Sequence, residues 1–137
     1  MAVISELIRL ESDGSISFGD YTLGEKTKKD NVEIGGNVYK VKTFNEITKL
    51  ERDGMFVYES VPGTTVNNLK SSDEGVHFVV EGKEDAQITL ELEPDTLYDI
   101  SVGGKETGEI KTNLGGKLSL SVELDSDSKV EVSVSRK

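Results

Sequence analysis

From Thr64 onward, apolar side chains recur at every second position, and that period leaves a chain few ways to fold. Val76, Phe78 and Val80 alternate with polar residues, as do Ile88, Leu90 and Leu92, then Tyr98, Ile100 and Val102. Leu118, Leu120, Val122 and Leu124 follow the same rule, as do Val130, Val132 and Val134. Successive side chains of a β-strand point to opposite sides, so each run presents one apolar and one polar face. Val66 with Leu69, and Ile110, mark two further segments, giving seven. Turn-forming residues separate them: Asp73-Glu74-Gly75, Gly82 to Asp85, Pro94-Asp95, Gly103-Gly104, Asn113 to Gly116, and Asp125 to Ser128. Short strands at this spacing predict an antiparallel β-sandwich. One-sided burial also argues against a parallel sheet, whose strands tend to be apolar on both faces.

The N-terminal part reads as a set of β-hairpins. Around Asp13-Gly14, a three-residue loop of Ser12, Asp13 and Gly14 pairs Leu10 with Ile16 and Ile8 with Phe18, which gathers all four on one face; a two-residue turn would split them. Gly14 then takes the left-handed conformation that glycine accepts without steric cost. Residues 2–7 fit a strand or a helical turn equally. A second hairpin over Val32 to Phe44 is expected to close at Gly36-Asn37, setting Ile34 opposite Tyr39, Val32 opposite Val41 and Glu33 opposite Lys40.

The segment Thr43 to Gly54 supports two readings. Thr43 and Glu46 have the spacing of a capping box, Phe44, Ile47 and Leu50 recur every three residues, and Gly54 suits a helix C-terminus, which together describe one short helix near 44–53. The rival is a hairpin turning at Asp53-Gly54 into Met55-Phe56-Val57-Tyr58. Met55 to Val61 is a strand in either case, and Pro62-Gly63 ends it. Val61 to Thr65 is the one candidate boundary, dividing an N-terminal hairpin lobe (1–62) from a seven-stranded sandwich lobe (63–137), packed as one compact unit.

Composition narrows the function classes. The 137 residues include no cysteine, so disulfides, thiolate metal sites and thiol catalysis are excluded. The net charge is −10, spread as 11 acids against 8 bases over residues 1–62 and 15 against 8 over 63–137. Such a surface repels nucleic acid and anionic lipid, which require clustered Lys and Arg. The lone basic run, Lys26-Thr27-Lys28-Lys29-Asp30, has no glycine-rich cradle and no helix start behind it, so it reads as a solvated loop. No apolar stretch is long enough for a membrane span and no signal-peptide layout opens the sequence, so a cytoplasmic protein is expected as encoded.

Candidate chemistry is sparse. His77 is the sole histidine, and its neighbours Val76 and Phe78 face the core, which turns it outward with no serine nucleophile elbow to serve. Asp125-Ser126-Asp127-Ser128 lacks the glycine and terminal glutamate of a calcium loop, leaving at most a weak adventitious calcium contact. With 26 acids, a pair of carboxylates at glycosidase spacing carries no information. Gly35-Gly36, Gly103-Gly104 and Gly115-Gly116 lie between strands and are turns, not phosphate loops. Tyr21, Tyr39 and Tyr58, with Phe56, are the aromatics left for a ligand surface; core or cross-strand packing competes for each. No cofactor is expected.

Three resemblances add to these readings. Leu92-x-Pro94-x-Thr96-x-Tyr98-x-Ile100-x-Val102 is similar to the corner of fibronectin type III domains, in which the aromatic after a proline-containing turn anchors the core; here the chain continues beyond the single strand that would follow it there. The stretch from Gly103-Gly104 through Gly116-Lys117-Leu118 to the valine-rich end looks like the C-terminal β-sandwich of some bacterial polysaccharide-processing enzymes, which implies an accessory module. Tyr39-Lys40-Val41-Lys42-Thr43-Phe44 and Val57-Tyr58-Glu59-Ser60-Val61-Pro62-Gly63 resemble stretches of short bacterial proteins, some labelled endosialidase-like, which implies a bacterial or phage origin and carries over no site. The expectation is therefore a non-enzymatic β-sandwich acting as a protein-interaction or self-assembly module, with a carbohydrate-binding accessory module as the alternative.

Overall fold

The protein, in a computed structural model that describes residues 4, 6–125 and 129–137, is built from thirteen strands, with no helix among the described residues. Six precede the Pro62-Gly63 junction: β1 (Ile8–Leu10), β2 (Ile16–Phe18), β3 (Thr27–Ile34), β4 (Asn37–Thr43), β5 (Thr48–Arg52) and β6 (Met55–Val61). Seven follow: β7 (Thr65–Ser72), β8 (Gly75–Glu81), β9 (Ala86–Glu91), β10 (Leu97–Val102), β11 (Lys105–Lys111), β12 (Lys117–Val122) and β13 (Lys129–Arg136). They form two antiparallel sheets packed as a sandwich, in the orders β1-β2-β7-β8-β13-β10-β11 and β12-β9-β6-β5-β4-β3. Both sheets draw strands from residues 1–62 and from 63–137, and one cluster of buried side chains takes members from both segments. No helix of the described residues is long and apolar enough to cross a membrane.

The first hairpin has the expected register, with Leu10 opposite Ile16, Ile8 opposite Phe18, and Gly14 at φ 87°. Three other readings need correction. The β3–β4 hairpin closes at Gly35-Gly36, not Gly36-Asn37, so Ile34 faces Asn37 and Val32 faces Tyr39. Both glycines sit at positive φ, 58° and 86°, as a tight two-residue hairpin turn demands, and a bulge between Lys29 and Val32 shifts the register beyond it so that Lys28 meets Lys42. Of the two readings of Thr43 to Gly54, the hairpin turning at Asp53-Gly54 forms and the short helix near 44–53 is absent: Phe44 N–H donates to the Ile47 carbonyl at 3.0 Å in a tight turn, and β5 then pairs with both β4 and β6. Two ready partners satisfy every backbone group of an interior strand, which outweighs a local capping signal. Finally, Thr27 to Asp30 is not a loop but the start of edge strand β3, whose lysines remain exposed.

Cross-sheet packing centres on three rings. Tyr58, on the six-stranded sheet, meets Phe18 edge-on at 5.3 Å and Phe78 at 5.7 Å, both on the seven-stranded sheet. All three are fully buried. Around the Tyr58 hydroxyl lies a chain of buried polar bonds. Tyr58 Oη and Ser60 Oγ each share a bond with Thr64 Oγ1, at 2.8 and 2.7 Å. Thr48 Oγ1 donates to the Thr64 carbonyl at 2.8 Å and accepts from Thr64 N–H at 3.0 Å. Because the single Thr48 proton is committed to that carbonyl, Thr43 is the donor in the 2.8 Å Thr43–Thr48 bond, and Thr43 Oγ1 in turn accepts from Asp20 N–H. Burial raises the Tyr58 phenol well above its ordinary value, with the two hydroxyl bonds partly opposing.

Tyr98 anchors the second junction, as the sequence pattern suggests: it is buried, and its hydroxyl accepts from Glu93 N–H at 3.2 Å across the Pro94-Asp95 turn. Close approach fixes several glycines, Gly75 most tightly. Gly75 has φ 140°, and a Cβ there would lie 1.8 Å from the Val134 carbonyl oxygen, so only glycine lets β8 lie against β13 at that point.

Replacing Tyr58 by Phe keeps the ring contacts and removes one hydroxyl from the buried chain, so it should cost about 1–2 kcal/mol in urea unfolding, whereas Tyr58→Ala should cost about 3–5 kcal/mol. Equal losses for the two variants would show that the rings contribute little.

Candidate functional site

None of the three tyrosines presents a ring to solvent. Tyr21 is 2% exposed, Tyr39 5% and Tyr58 0%. Each is taken up by the sandwich itself: Tyr58 by the ring stack, Tyr39 by the inner face of β4, and Tyr21 by a position near the carboxylates of Glu81 and Asp20, where desolvation and then those charges raise its phenol above the ordinary value. Phe56 is half-buried on the outer face of the six-stranded sheet, with Lys117 Nζ 4.5 Å and Lys49 Nζ 5.8 Å from its ring centroid. His77 points outward on β8 as expected, with Nε2 3.4 Å from Glu131 on the neighbouring β13. Among the described residues no group of three or more His, Cys, Asp or Glu side chains is placed to hold a metal ion, and Ser126 to Ser128 of the calcium candidate lie outside the described residues.

What the structure does provide is an open end. At the end of the sandwich carrying the Asp13-Gly14, Asp53-Gly54 and Asp73-Glu74 turns, an open trough of about 630 Å³ is lined by apolar Ile16, Tyr39, Leu50, Leu69 and Val76 and by polar groups, among them Lys70, Glu74, His77 and Ser133. It continues past Met55 and Val57 into a second hollow of about 540 Å³ beside Leu90, Leu92 and Tyr98. Arg52 borders both. Its partner across the β4–β5 ladder is the buried Tyr39, so the two share the inner face, and Arg52 lines the open end there. It is half-buried and makes no hydrogen bond or ion pair with any described residue.

Sequence reasoning missed Arg52. Its signal was the two-residue step Thr48, Leu50, Arg52, which puts it inward only if the segment is a strand, and the competing helical pattern hid that parity.

The rim is more conventional. Asp13 pairs with Lys70 at 3.2 Å and accepts from Ser15 N–H and Ser15 Oγ. The Ser15 hydroxyl, then the Ser15 amide, then Lys70 pull the Asp13 carboxyl from 3.8 down to about 2. A folded-state value below the unfolded one stabilises the fold above pH 3.8 and loses that contribution as pH falls through about 2. Asp13→Asn should therefore be less stable than the wild type near neutral pH, with the gap closing in acid unfolding curves below about pH 2; a gap that persists in strong acid would assign the loss to something other than the charge.

Two surface features stand apart from the trough. On the outer face of the six-stranded sheet, Lys28, Lys42 and Lys49 lie directly opposite one another on β3, β4 and β5, an arrangement that repels. Partial desolvation, then Lys26, Lys49 and Lys28, hold the Lys42 ammonium below the usual lysine range. That cost is present while Lys42 is charged and disappears as pH rises past the unfolded value of 10.5. Lys42→Gln should thus stabilise the protein by roughly 0.5 kcal/mol near neutral pH after allowance for solvent screening, and by nothing in strong alkali, in paired thermal melts.

The second feature is the β12 edge. Leu92 N–H donates to the Gly116 carbonyl at 2.7 Å, and Leu118, Leu120 and Val122 continue that ladder toward β9. The alternate residues therefore face away from β9. Lys117 is satisfied there by Asn113, through Asn113 N–H to its carbonyl at 3.0 Å and its own N–H to Asn113 Oδ1 at 2.9 Å, whereas Ser119 and Ser121 turn backbone donors and acceptors to an open edge. The other three edges are guarded: β1 has three residues, β3 has lysines and a bulge, and β11 has alternating charges, a bulge and Gly108.

Set against protein-family models, curated proteins and solved structures, the chain matches none of them.

Proposed function

We propose that this chain is a non-enzymatic interaction module that works by strand addition along β12, with a second copy of itself as the partner. The carrying observation is the contrast among the four sheet edges: β12 alone is regular, uncharged in its middle and unguarded. The sequence supports a symmetric contact. If two β12 strands pair antiparallel about Leu120, Ser119 of one faces Ser121 of the other, both with free backbone groups, and Lys117 of one faces Glu123 of the other. One sheet then runs through both copies, and the exposed edge is removed in each.

Carbohydrate recognition through Tyr21, Tyr39 or Tyr58 receives no support from the geometry, because stacking on a sugar needs an exposed ring face and all three are buried.

Sedimentation velocity over a concentration series tests the reading. The wild type should show a concentration-dependent dimer, and Ser121→Pro should be monomeric with an unchanged circular dichroism spectrum, since the proline removes an N–H that faces the open edge and not β9. A wild type that stays monomeric at every concentration, or a proline variant that dimerises equally well, would rule the β12 contact out.

A further inference from the structure

We propose, independently of the β12 contact, that the trough at the open end binds a small monocarboxylate carried on an apolar body, with Arg52 as the anchor for the carboxylate. An inward-pointing arginine on an edge strand can serve to discourage aggregation, but β5 is an interior strand paired on both sides, so that explanation fails here. Nor does any acid of the described residues pair with it, and three of those nearby are held elsewhere. Glu51 faces the opposite side of the sheet beside Lys49, Asp53 accepts from Val38 N–H at 2.8 Å, and Asp13 is paired with Lys70. Five N–H donors in a planar fork thus border the trough with no acceptor paired to them among the described residues, and a carboxylate matches that fork with two parallel bonds.

The surroundings select the rest of the ligand. Asp73, Glu74 and Glu93 lie along the mouth, and because Coulomb repulsion scales with charge, a doubly charged phosphate would meet about twice the repulsion that a single carboxylate does. Leu50, Leu69 and Val76 line the same trough, so an apolar body carried by the carboxylate has apolar surface to cover there.

The experiment is a pair of titrations followed by amide chemical shifts, with sodium octanoate and with 1-octanol. Octanoate should saturate and move the amides of Leu50, Arg52, Val57 and Val76, and it should bind about tenfold more tightly than the alcohol of the same length. Arg52→Gln should remove that tenfold advantage while leaving octanol binding as it was. Arg52→Lys, which keeps the charge without the fork, should retain part of it. Equal affinities for acid and alcohol, or an octanoate affinity unaffected by Arg52→Gln in a variant with a wild-type amide spectrum, would mean adventitious apolar binding and would overturn the proposal, as would shifts that never saturate or map elsewhere.

Discussion

Tyr58 is where the two sheets are held to each other. Its ring stands edge-on to Phe18 and Phe78 of the facing sheet, and its hydroxyl joins Thr64 at the point where the chain passes from one sheet to the other. Edge-to-face contacts add a directional preference to the burial of a large ring, and a fully buried hydroxyl is tolerated only with a partner at the right place. The ring and its hydroxyl therefore fix both the separation of the sheets and their lateral alignment. Moving either sheet would break one or the other.

That anchoring is asymmetric along the sandwich. At the end where β4 finishes and β5 begins, Thr43, Thr48, Thr64 and Ser60 pass hydrogen bonds from one to the next, and Thr65 Oγ1 donates to the Gly19 carbonyl. Short hydroxyl side chains let the backbones approach while satisfying buried polar groups. At the other end of the same strands the corresponding inner positions hold Tyr39 and Arg52, which are long, and the sheets leave a gap beside them. A closed end and an open end follow from side-chain size at two ladder pairs: Thr43 with Thr48, and Tyr39 with Arg52.

Surface charge follows a separate logic. A chain with a net charge of −10 still places three lysines in one cross-strand row, and two of its bases over the Phe56 ring. The like charges lie beside edge strand β3, where exposed lysines discourage pairing with another chain. The same protection is missing at β12, whose outer face offers serines. Guarded and unguarded edges on one sheet give the surface a direction that net charge alone does not reveal.

Much of the architecture was legible because β burial has a period of two and the turn residues are chemically distinct. The seven strands after Thr64, the pairing of Ile8 with Phe18, the outward His77 and the buried Tyr98 all follow from alternation and glycine placement in the sequence itself. Periodicity is local, however, and says nothing about which strands become neighbours. Only tertiary structure set β1 and β2 beside β7, gave β5 two partners and so excluded the helix over 44–53, and moved the β3–β4 turn to Gly35-Gly36 with a compensating bulge. It also consumed Tyr21, Tyr39 and Tyr58 as packing and brought Arg52 to the rim of the open trough, because those outcomes depend on what the opposite sheet supplies.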